Sequence, residues 1–134
     1  MAYSLGLSPS PGEVARLNDW LADVFADAAA SPSSAEALRL CLNELVANVI
    51  EHGYPDGGEG RISIAIEPSD NALAVEVIDD GIAFDPLAAP EVQPMNGLQD
   101  VRIGGFGIKL FREASHSARY ERSGGMNRLS FVCG

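Results

Sequence analysis

The stretch 61–77, RISIAIEPSDNALAVEV, decides how this chain folds. Isoleucine occupies every second position of 61–66, and leucine or valine occupies every second position of 73–77. A period of two is typical of strands that bury one face. The residues at 68–71 are of the types that form tight turns. The stretch therefore predicts an antiparallel hairpin.

Helices and further strands are predicted on both sides of this hairpin, from apolar periods of 3.6 or 2 residues and from Gly, Pro and Ser punctuation. The predicted elements are a short edge strand at Ala2–Leu7, a helix at Glu13–Ala29, a second helix from a cap at Ser33 or Ser34 to about His52 with Gly53 as its stop, a short helix from Ile108 to about Ala114, and two last strands at Ser117–Arg122 and Asn127–Cys133 joined through Ser123-Gly124-Gly125.

These elements predict an α+β fold in a single domain, residues 1–134. Because two pairs of strands are joined by tight turns, the sheet must be antiparallel or mixed. With the long helices on one of its faces, the class is a two-layer sandwich with a mixed, mostly antiparallel sheet. The stretch 82–103 has no sustained period, which is typical of a lid or a binding loop.

The charge balance restricts the classes of partner. Nine basic residues stand against 19 acidic ones, and the net charge of −10 argues against binding to a nucleic-acid backbone or an anionic membrane. A protein partner or a small ligand fits better. The sequence shows no basic leader and no long apolar run, so we expect a cytoplasmic protein. Cys41 and Cys133 fit no metal-binding spacing and are expected to be reduced, buried thiols.

Glu44 and Asn48 are one helical turn apart and project from the same side of the second predicted helix, opposite its apolar stripe. An amide oxygen is a hard ligand for Mg²⁺, and a carboxylate can accept a hydroxyl proton, so the pair suits a phosphate site. His52 continues this row. A solvated outer face explains the pair as well, and interaction with the helix dipole explains His52.

Asp79-Asp80-Gly81 lies where a strand gives way to a loop. Side chains alternate along a strand, so one aspartate is expected to point into the core and the other into solvent. An inward aspartate needs a partner, which the exocyclic amino group of adenine could supply, and Gly81 would let a ligand ring approach the backbone. An ordinary Asp-Gly turn is the alternative.

Gly104-Gly105-Phe106-Gly107 precedes the short predicted helix. Unobstructed backbone N–H groups and the positive end of a helix dipole can hold phosphate there, with Lys109 and Arg112 nearby, although glycines also simply end loops. The run lacks the Gly-Lys-Ser/Thr ending of a P-loop and the preceding strand of a Rossmann motif, which excludes both.

The order of these motifs, with Asn43–Tyr54 first, Ile78–Phe84 next and Gly104–Leu110 last, resembles the N, G1 and G2 boxes of the GHKL ATPase superfamily, whose members have the histidine-kinase-like ATPase fold. The small size, the His-Gly-Tyr after the first box and the short lid resemble the anti-sigma factor serine/threonine kinase family. The resemblance spans essentially the whole chain.

The resemblance implies a role for each matching residue. Glu44 would be the general base, Asn48 would ligate Mg²⁺, Asp79 would accept the adenine amino group with Gly81 beside the ring, and Gly104, Gly105 and Gly107 would wrap the phosphates of ATP. Two positions depart from the pattern. Ala83 replaces a second glycine, and Gly125-Met126-Asn127-Arg128 replaces a Gly-Thr, so Asn127 is assigned no adenine contact.

The function implied by the resemblance is that of an anti-sigma factor protein serine kinase. It would bind Mg-ATP, phosphorylate a small antagonist (anti-anti-sigma) protein, sequester a sigma factor and form a homodimer. One alternative is a catalytically silent ATP-binding module whose nucleotide-dependent shape controls a partner. The other is an interaction domain that binds no nucleotide.

Overall fold

A computed structural model describes residues 2–69, 72–86 and 115–133. Its elements in chain order are β1 (Tyr3–Leu7), a short 3₁₀ helix (Pro11–Glu13), α1 (Val14–Ala28), α2 (Pro32–Gly53), β2 (Ile62–Ser69), β3 (Ala72–Asp79), β4 (Ser115–Ser123) and β5 (Met126–Cys133). The hairpin, both long helices and the other predicted strands are confirmed. The predicted helix at 108–114 and most of the predicted lid at 82–103 lie outside the described residues.

The five strands form one sheet in the order β1-β2-β3-β5-β4. Each pairing between the described strands is antiparallel. β1 takes an edge of the sheet, as predicted. β3 lies beside β5 and not beside β4. Among the described strands, the hairpins β2-β3 and β4-β5 are thus combined with two longer connections, one from β1 through the helices to β2 and one from β3 to β4.

The hydrophobic core lies between the two helices and one face of the sheet. Antiparallel register places Ile64 opposite Val77 and Val77 opposite Leu129, so apolar residues line up across three strands. Both helices turn their apolar stripes to this layer, which confirms the two-layer α+β sandwich. The buried apolar residues include Leu17, Leu21, Val24, Leu38, Leu42, Leu45, Val46 and Val49 on the helices and Leu7, Ile62, Ile64, Ile66, Leu73, Val75, Val77, Leu129 and Phe131 on the strands.

The start of α2 differs from the prediction, which placed the cap at Ser33 or Ser34. The cap is Ser31, whose backbone is extended and whose hydroxyl oxygen accepts a hydrogen bond from the Ser34 N–H at 3.2 Å. Pro32 then occupies the first helical position, where a missing N–H costs nothing. Ser33 and Ser34 lie in the first turn of the helix.

Cys41 of α2 and Cys133 of β5 are buried and unbonded to each other. Burial raises the pKa of the Cys41 thiol to about 12 and also raises that of Cys133. Both thiols are therefore neutral near neutral pH and pack as small apolar groups, which confirms the prediction.

Candidate functional site

The inward face of the sheet becomes polar at one end. The last inward-facing pair of β3 and β5 is Asp79 opposite Asn127, and each residue is only 3% exposed. Because a buried polar side chain is costly unless it is hydrogen-bonded, the partners of these two residues determine what this end of the sheet can bind.

Asn127 has hydrogen bonds at both of its side-chain polar atoms. Its Nδ2 group donates to Asp79 Oδ1 at 2.9 Å and to the Ile82 carbonyl oxygen at 3.0 Å. Its Oδ1 atom accepts from the Phe84 N–H at 3.3 Å and from the Tyr120 hydroxyl. A neutral amide has two donors and two acceptor positions, so these four bonds use its full capacity. Asn127 therefore ties the turn that follows β3 to β4 and β5.

Asp79 is held through one of its two carboxylate oxygens. Oδ1 accepts from Asn127 and, at 2.9 Å, from the Gly81 N–H. Within the described residues, no hydrogen bond to Oδ2 is found. Burial raises the pKa of Asp79, and the bonds from Asn127 and Gly81 oppose that rise. The Asp79 side chain is thus buried and oriented through Oδ1, and within the described residues its Oδ2 atom accepts no hydrogen bond.

Gly81 lies against the end of α2. The Ile82 N–H donates to the Gly53 carbonyl oxygen at 2.9 Å. A Cβ atom placed on Gly81 would lie 2.6 Å from that oxygen, and one placed on Gly53 would lie 3.6 Å from Asp79 Oδ1. No side chain fits at position 81, so contact with the end of α2 requires glycine there. Its predicted place beside a ligand ring stays a prediction.

Arg122 of β4 reaches the same turn. One of its guanidinium nitrogens, Nη1, donates to the Gly81 carbonyl oxygen at 2.7 Å, and its charge acts to lower the pKa of Asp79. Two strands and one helix therefore fix the turn at 79–81.

Glu44 and Asn48 lie on α2, one turn apart and half-buried. Burial raises the pKa of Glu44, which makes the carboxylate a stronger proton acceptor than an exposed glutamate. Among the described residues, neither side chain has a hydrogen bond. The pair lies on the helix whose C-terminal end contacts the Asp79–Gly81 turn, so the structure joins two of the three predicted motifs through α2.

His52 is exposed at the end of α2 and is not part of the bonded cluster. Its ring stacks on Phe84, with centroids 4.6 Å apart and an angle of 21° between the rings, and its Nε2 atom lies 3.2 Å from Glu51 Oε2. The stack links α2 to the residues that follow the turn.

The two aspartates of the predicted motif point in opposite directions. Asp79 is buried, whereas Asp80 is exposed and bonded to Tyr54 and Arg61. The alternation predicted one inward and one outward side chain, and it is confirmed. The third predicted motif, Gly104, Gly105 and Gly107 with Lys109 and Arg112, lies outside the described residues.

Asn127, Tyr120 and Arg122 were not among the predicted site residues. A signal for Asn127 was present, since it has the same parity along its strand as Leu129, Phe131 and Cys133 and so had to point inward. No comparable signal marks Tyr120 and Arg122, because their contacts depend on the pairing of β4 with β5.

A family model described as a histidine kinase-like ATPase domain matches residues 7–133. The chain belongs to this family. The antiparallel sheet with both long helices on one of its faces agrees with that membership.

Several curated proteins are similar to this chain. The serine/threonine-protein kinase BtrW of Bordetella bronchiseptica is 28% identical over 95 residues, which cover 71% of this chain and 67% of that protein. The serine-protein kinase RsbW of Listeria innocua is 28% identical over 94 residues, covering 67% of this chain and 60% of the relative. The sensor histidine kinase PdtaS of Mycobacterium tuberculosis is 37% identical over 87 residues, which are 17% of its length. The matches thus leave a third or more of each relative uncovered.

Two solved structures share the fold. The structure of the RsbU and RsbW domains of Rv1364c from Mycobacterium tuberculosis matches 99% of this chain and 32% of its own, with a TM-score of 0.70 and 18% identity. The blue-light activated histidine kinase EL346 of Erythrobacter litoralis matches 78% of this chain and 31% of its own, with a TM-score of 0.54 and 20% identity. Within the described residues, no helix has the length and apolarity to cross a membrane.

Proposed function

We propose that this chain is a single nucleotide-binding domain, residues 1–134, that binds Mg-ATP and transfers its γ-phosphoryl group to a serine of a small antagonist protein. Family membership supports the use of ATP, and the similarity to proteins named serine-protein kinases supports a protein hydroxyl as the acceptor. The single observation that carries the proposal is the buried, oriented Asp79 at the end of β3.

Asp79 suits the recognition of adenine. An ionised carboxylate only accepts hydrogen bonds, so it selects a base that presents an N–H group, such as the exocyclic amine of adenine. Oδ1 accepts from the protein, which sets the plane of the carboxylate and leaves Oδ2 as the acceptor for the ligand. Gly81 would lie beside the base, and Gly104, Gly105 and Gly107 would wrap the phosphates.

Glu44 suits the role of general base. Its raised pKa favours acceptance of a proton from an attacking serine hydroxyl. In the transfer, the serine oxygen would bond to the γ-phosphorus while the bond between the γ-phosphorus and the bridging oxygen of the β-phosphate breaks. ADP would leave with the electron pair of the broken bond, and the proton of the serine hydroxyl would go to Glu44. For such a reaction the protein mainly supplies position and charge compensation.

The donor set fits Mg²⁺. In the described residues, no group of three or more histidine, cysteine, aspartate or glutamate side chains converges into a protein-only metal cage. Mg²⁺ bound to nucleotides takes one or two oxygens from the protein and most of the rest from phosphates and water. The amide oxygen of Asn48 would be the protein ligand, and the ion would offset phosphate charge.

The partners proposed with this activity are a sigma factor, which the chain would sequester in transcription regulation, and the phosphorylated antagonist. A homodimer and a place in the cytoplasm are part of the same proposal. The net charge of −10 supports protein partners over nucleic acid or an anionic membrane surface.

Calorimetric titration of ATP, with and without Mg²⁺, tests the binding step. We expect the wild type to bind ATP in a Mg²⁺-dependent way. We expect Asp79→Asn to bind ATP at least roughly tenfold more weakly, because the new amide would direct a donor at the adenine amino group. The absence of ATP binding by the wild type would exclude the nucleotide-dependent functions and leave the interaction-domain alternative.

The transfer step is tested with a candidate antagonist from the same genome and radiolabelled ATP. We expect Glu44→Gln to keep ATP affinity and to lose transfer by a factor of about 100 or more, as for removal of a general base. Glu36→Gln is the matched control, since Glu36 lies at the other end of α2 and is bonded to Arg39. Equal transfer by Glu44→Gln and wild type would assign the base elsewhere, and binding without any transfer would favour the silent switch module.

A further inference from the structure

Tyr54 joins the end of α2 to the strand that carries Asp79. It is the residue that caps α2, and it is 9% exposed. Its hydroxyl donates to Asp80 Oδ1 at 2.5 Å and accepts from the Asp80 N–H at 3.1 Å. The two residues are 26 positions apart in sequence, so this contact is a product of the tertiary fold.

Arg61, the residue immediately before β2, completes this contact. The Arg61 N–H donates to Asp80 Oδ1 at 3.0 Å, so the same oxygen holds two segments. Gly60 approaches the Tyr54 ring closely, since a Cβ atom placed on Gly60 would be 2.4 Å from the ring carbon Cε1. A side chain at position 60 would therefore collide with the Tyr54 ring where it now lies.

The contact is a charge-assisted hydrogen bond. The bond from Tyr54, followed by that from Arg61, lowers the pKa of Asp80. Burial and the bond to Asp80 raise the pKa of Tyr54. Near neutral pH the donor is thus a neutral phenol and the acceptor an ionised carboxylate, which is among the stronger hydrogen bonds of proteins.

The Tyr54–Asp80 bond acts together with a second attachment. The Ile82 N–H bonds to the Gly53 carbonyl oxygen on the other side of the same turn. Two adjacent residues of the α2 terminus therefore hold two positions around Gly81. Since α2 is one continuous helix, this double attachment also fixes where Asn48 and Glu44 lie along the helix relative to Asp79.

We propose that Tyr54 and Asp80 are positioning residues of the nucleotide site: neither contacts ATP, and together they hold the Asp79–Gly81 turn against α2 so that both parts of the site bind one nucleotide. This inference rests on the proposed function. It divides the roles of the two aspartates, with Asp79 directed at the ligand and Asp80 directed at the scaffold.

The first test removes one oxygen atom. Tyr54→Phe keeps the ring and loses both hydrogen bonds of the hydroxyl with Asp80, together with its 3.4 Å contact to the Arg61 carbonyl oxygen. We therefore expect Mg-ATP affinity to fall roughly three- to tenfold by calorimetry. Tyr3→Phe is the matched control. Tyr3 lies on the edge strand β1, and its hydroxyl also donates to an aspartate, Asp27 of α1. Its affinity should equal that of the wild type.

Two variants of Asp80 separate positioning from general stability. Asp80→Asn keeps an oxygen that accepts from Tyr54 and Arg61, and we expect affinity within about twofold of the wild type. Asp80→Ala removes the acceptor of both bonds, so it should lower affinity at least as much as Tyr54→Phe. The double variant Tyr54→Phe with Asp80→Ala should bind about as Asp80→Ala does, because the bond that the Tyr54 hydroxyl donates to the Asp80 carboxylate is already lost in Asp80→Ala. All titrations are made under conditions in which circular dichroism shows that each variant is folded.

Amide hydrogen exchange supplies a readout that needs no nucleotide. Tyr54→Phe should accelerate exchange of the Ile82 N–H more than that of the β2 amides, because loosening is local to the turn. Wild-type affinity in Tyr54→Phe, or equal losses in Asp80→Asn and Asp80→Ala, would overturn the positioning role. If the wild type bound no Mg-ATP, the proposed function would fail, and unchanged Ile82 exchange in Tyr54→Phe would overturn this inference separately.

Discussion

β3 and β5 bring four residue pairs to the inner face of the sheet, and the pair at one end differs in kind from the other three. Leu73–Cys133, Val75–Phe131 and Val77–Leu129 are apolar and lie in the core, whereas Asp79–Asn127 is polar and equally buried. The first three pairs stabilise the fold by apolar burial, which does not depend on the orientation of particular atoms. The fourth is buried at a cost that four hydrogen bonds of Asn127, two donated and two accepted, offset. Along one strand pair, apolar burial thus gives way to oriented polar contacts within two residues, between Val77 and Asp79.

Among the apolar pairs, the largest loss of stability is expected from Phe131→Ala. Phe131 is 2% exposed, and its truncation leaves a cavity, so we expect the free energy of unfolding to fall by about 3–5 kcal/mol. Urea unfolding of the nucleotide-free protein measures this. Val132→Ala is the control: Val132 lies on the other face of the sheet and should cost about 1 kcal/mol or less. Equal costs would contradict the assigned inner face.

In the polar pair, Asn127→Ala removes the side-chain amide that holds Asp79. Four hydrogen bonds are lost, and Asp79 keeps only the Gly81 N–H, so we expect unfolding free energy to fall by roughly 1–3 kcal/mol. Unlike the Phe131 change, this one should also weaken Mg-ATP binding about tenfold, because the carboxylate is no longer oriented.

A matched amide in another part of the molecule separates these two effects. Asn18→Ala breaks the reciprocal Asn18–Asn43 bonds between α1 and α2 and should lower stability while leaving ATP affinity unchanged. Equal ATP affinity in Asn127→Ala and wild type would show that Asn127 has only a structural role.

A smaller effect is expected from Tyr120→Phe. Asn127 Oδ1 keeps its bond from the Phe84 N–H and loses only the one from the Tyr120 hydroxyl. We expect a cost of about 0.5–1.5 kcal/mol, seen as a melting temperature lower by about 2–5 °C. An unchanged melting temperature would mean that water replaces the hydroxyl without loss.

The smallest effect is a pH dependence in the acidic range, where Asp79 is the group of these four pairs that titrates. Burial raises the pKa of Asp79 above its usual 3.8, so between these values the folded protein binds more protons than the unfolded chain. The contribution of this group to stability is complete below 3.8 and is lost as the pH rises through the raised pKa.

Asp79→Asn does not titrate, so it serves as the reference for this pH dependence. Its stability relative to the wild type should increase as the pH is raised from below 3.8. Urea unfolding at a series of pH values measures the difference. A difference that stays constant with pH would contradict the raised pKa.

Much of this molecule could be predicted from its sequence because the deciding patterns are local. The two-residue period gave the hairpin, the helical period gave α1 and α2, and alternation along β3 separated an inward aspartate from an outward one. The cap of α2 was misplaced by two or three residues, because several serines are adjacent and the proline after Ser31 decided between them.

The contacts of the candidate site were not predictable in the same way. Asn127 could be assigned to the inner face by its parity, but its bond to a residue 48 positions earlier depends on β5 pairing with β3. The same holds for the Tyr54–Asp80 bond and for the close approach of Gly53 to Gly81. In each case the partners belong to different elements, and no local pattern records which elements become neighbours.

The sequence by itself determined which residues form helices and strands, which side of each is apolar, and the order of the polar motifs. Side-chain period and turn chemistry are properties of a few neighbouring residues, so they can be derived without knowing the rest of the chain. Only the tertiary structure decided that Asp79 meets Asn127, that Asp80 meets Tyr54, and that α2 ends against the turn at Gly81. Those contacts depend on strand order and helix placement, which the burial of the whole core selects.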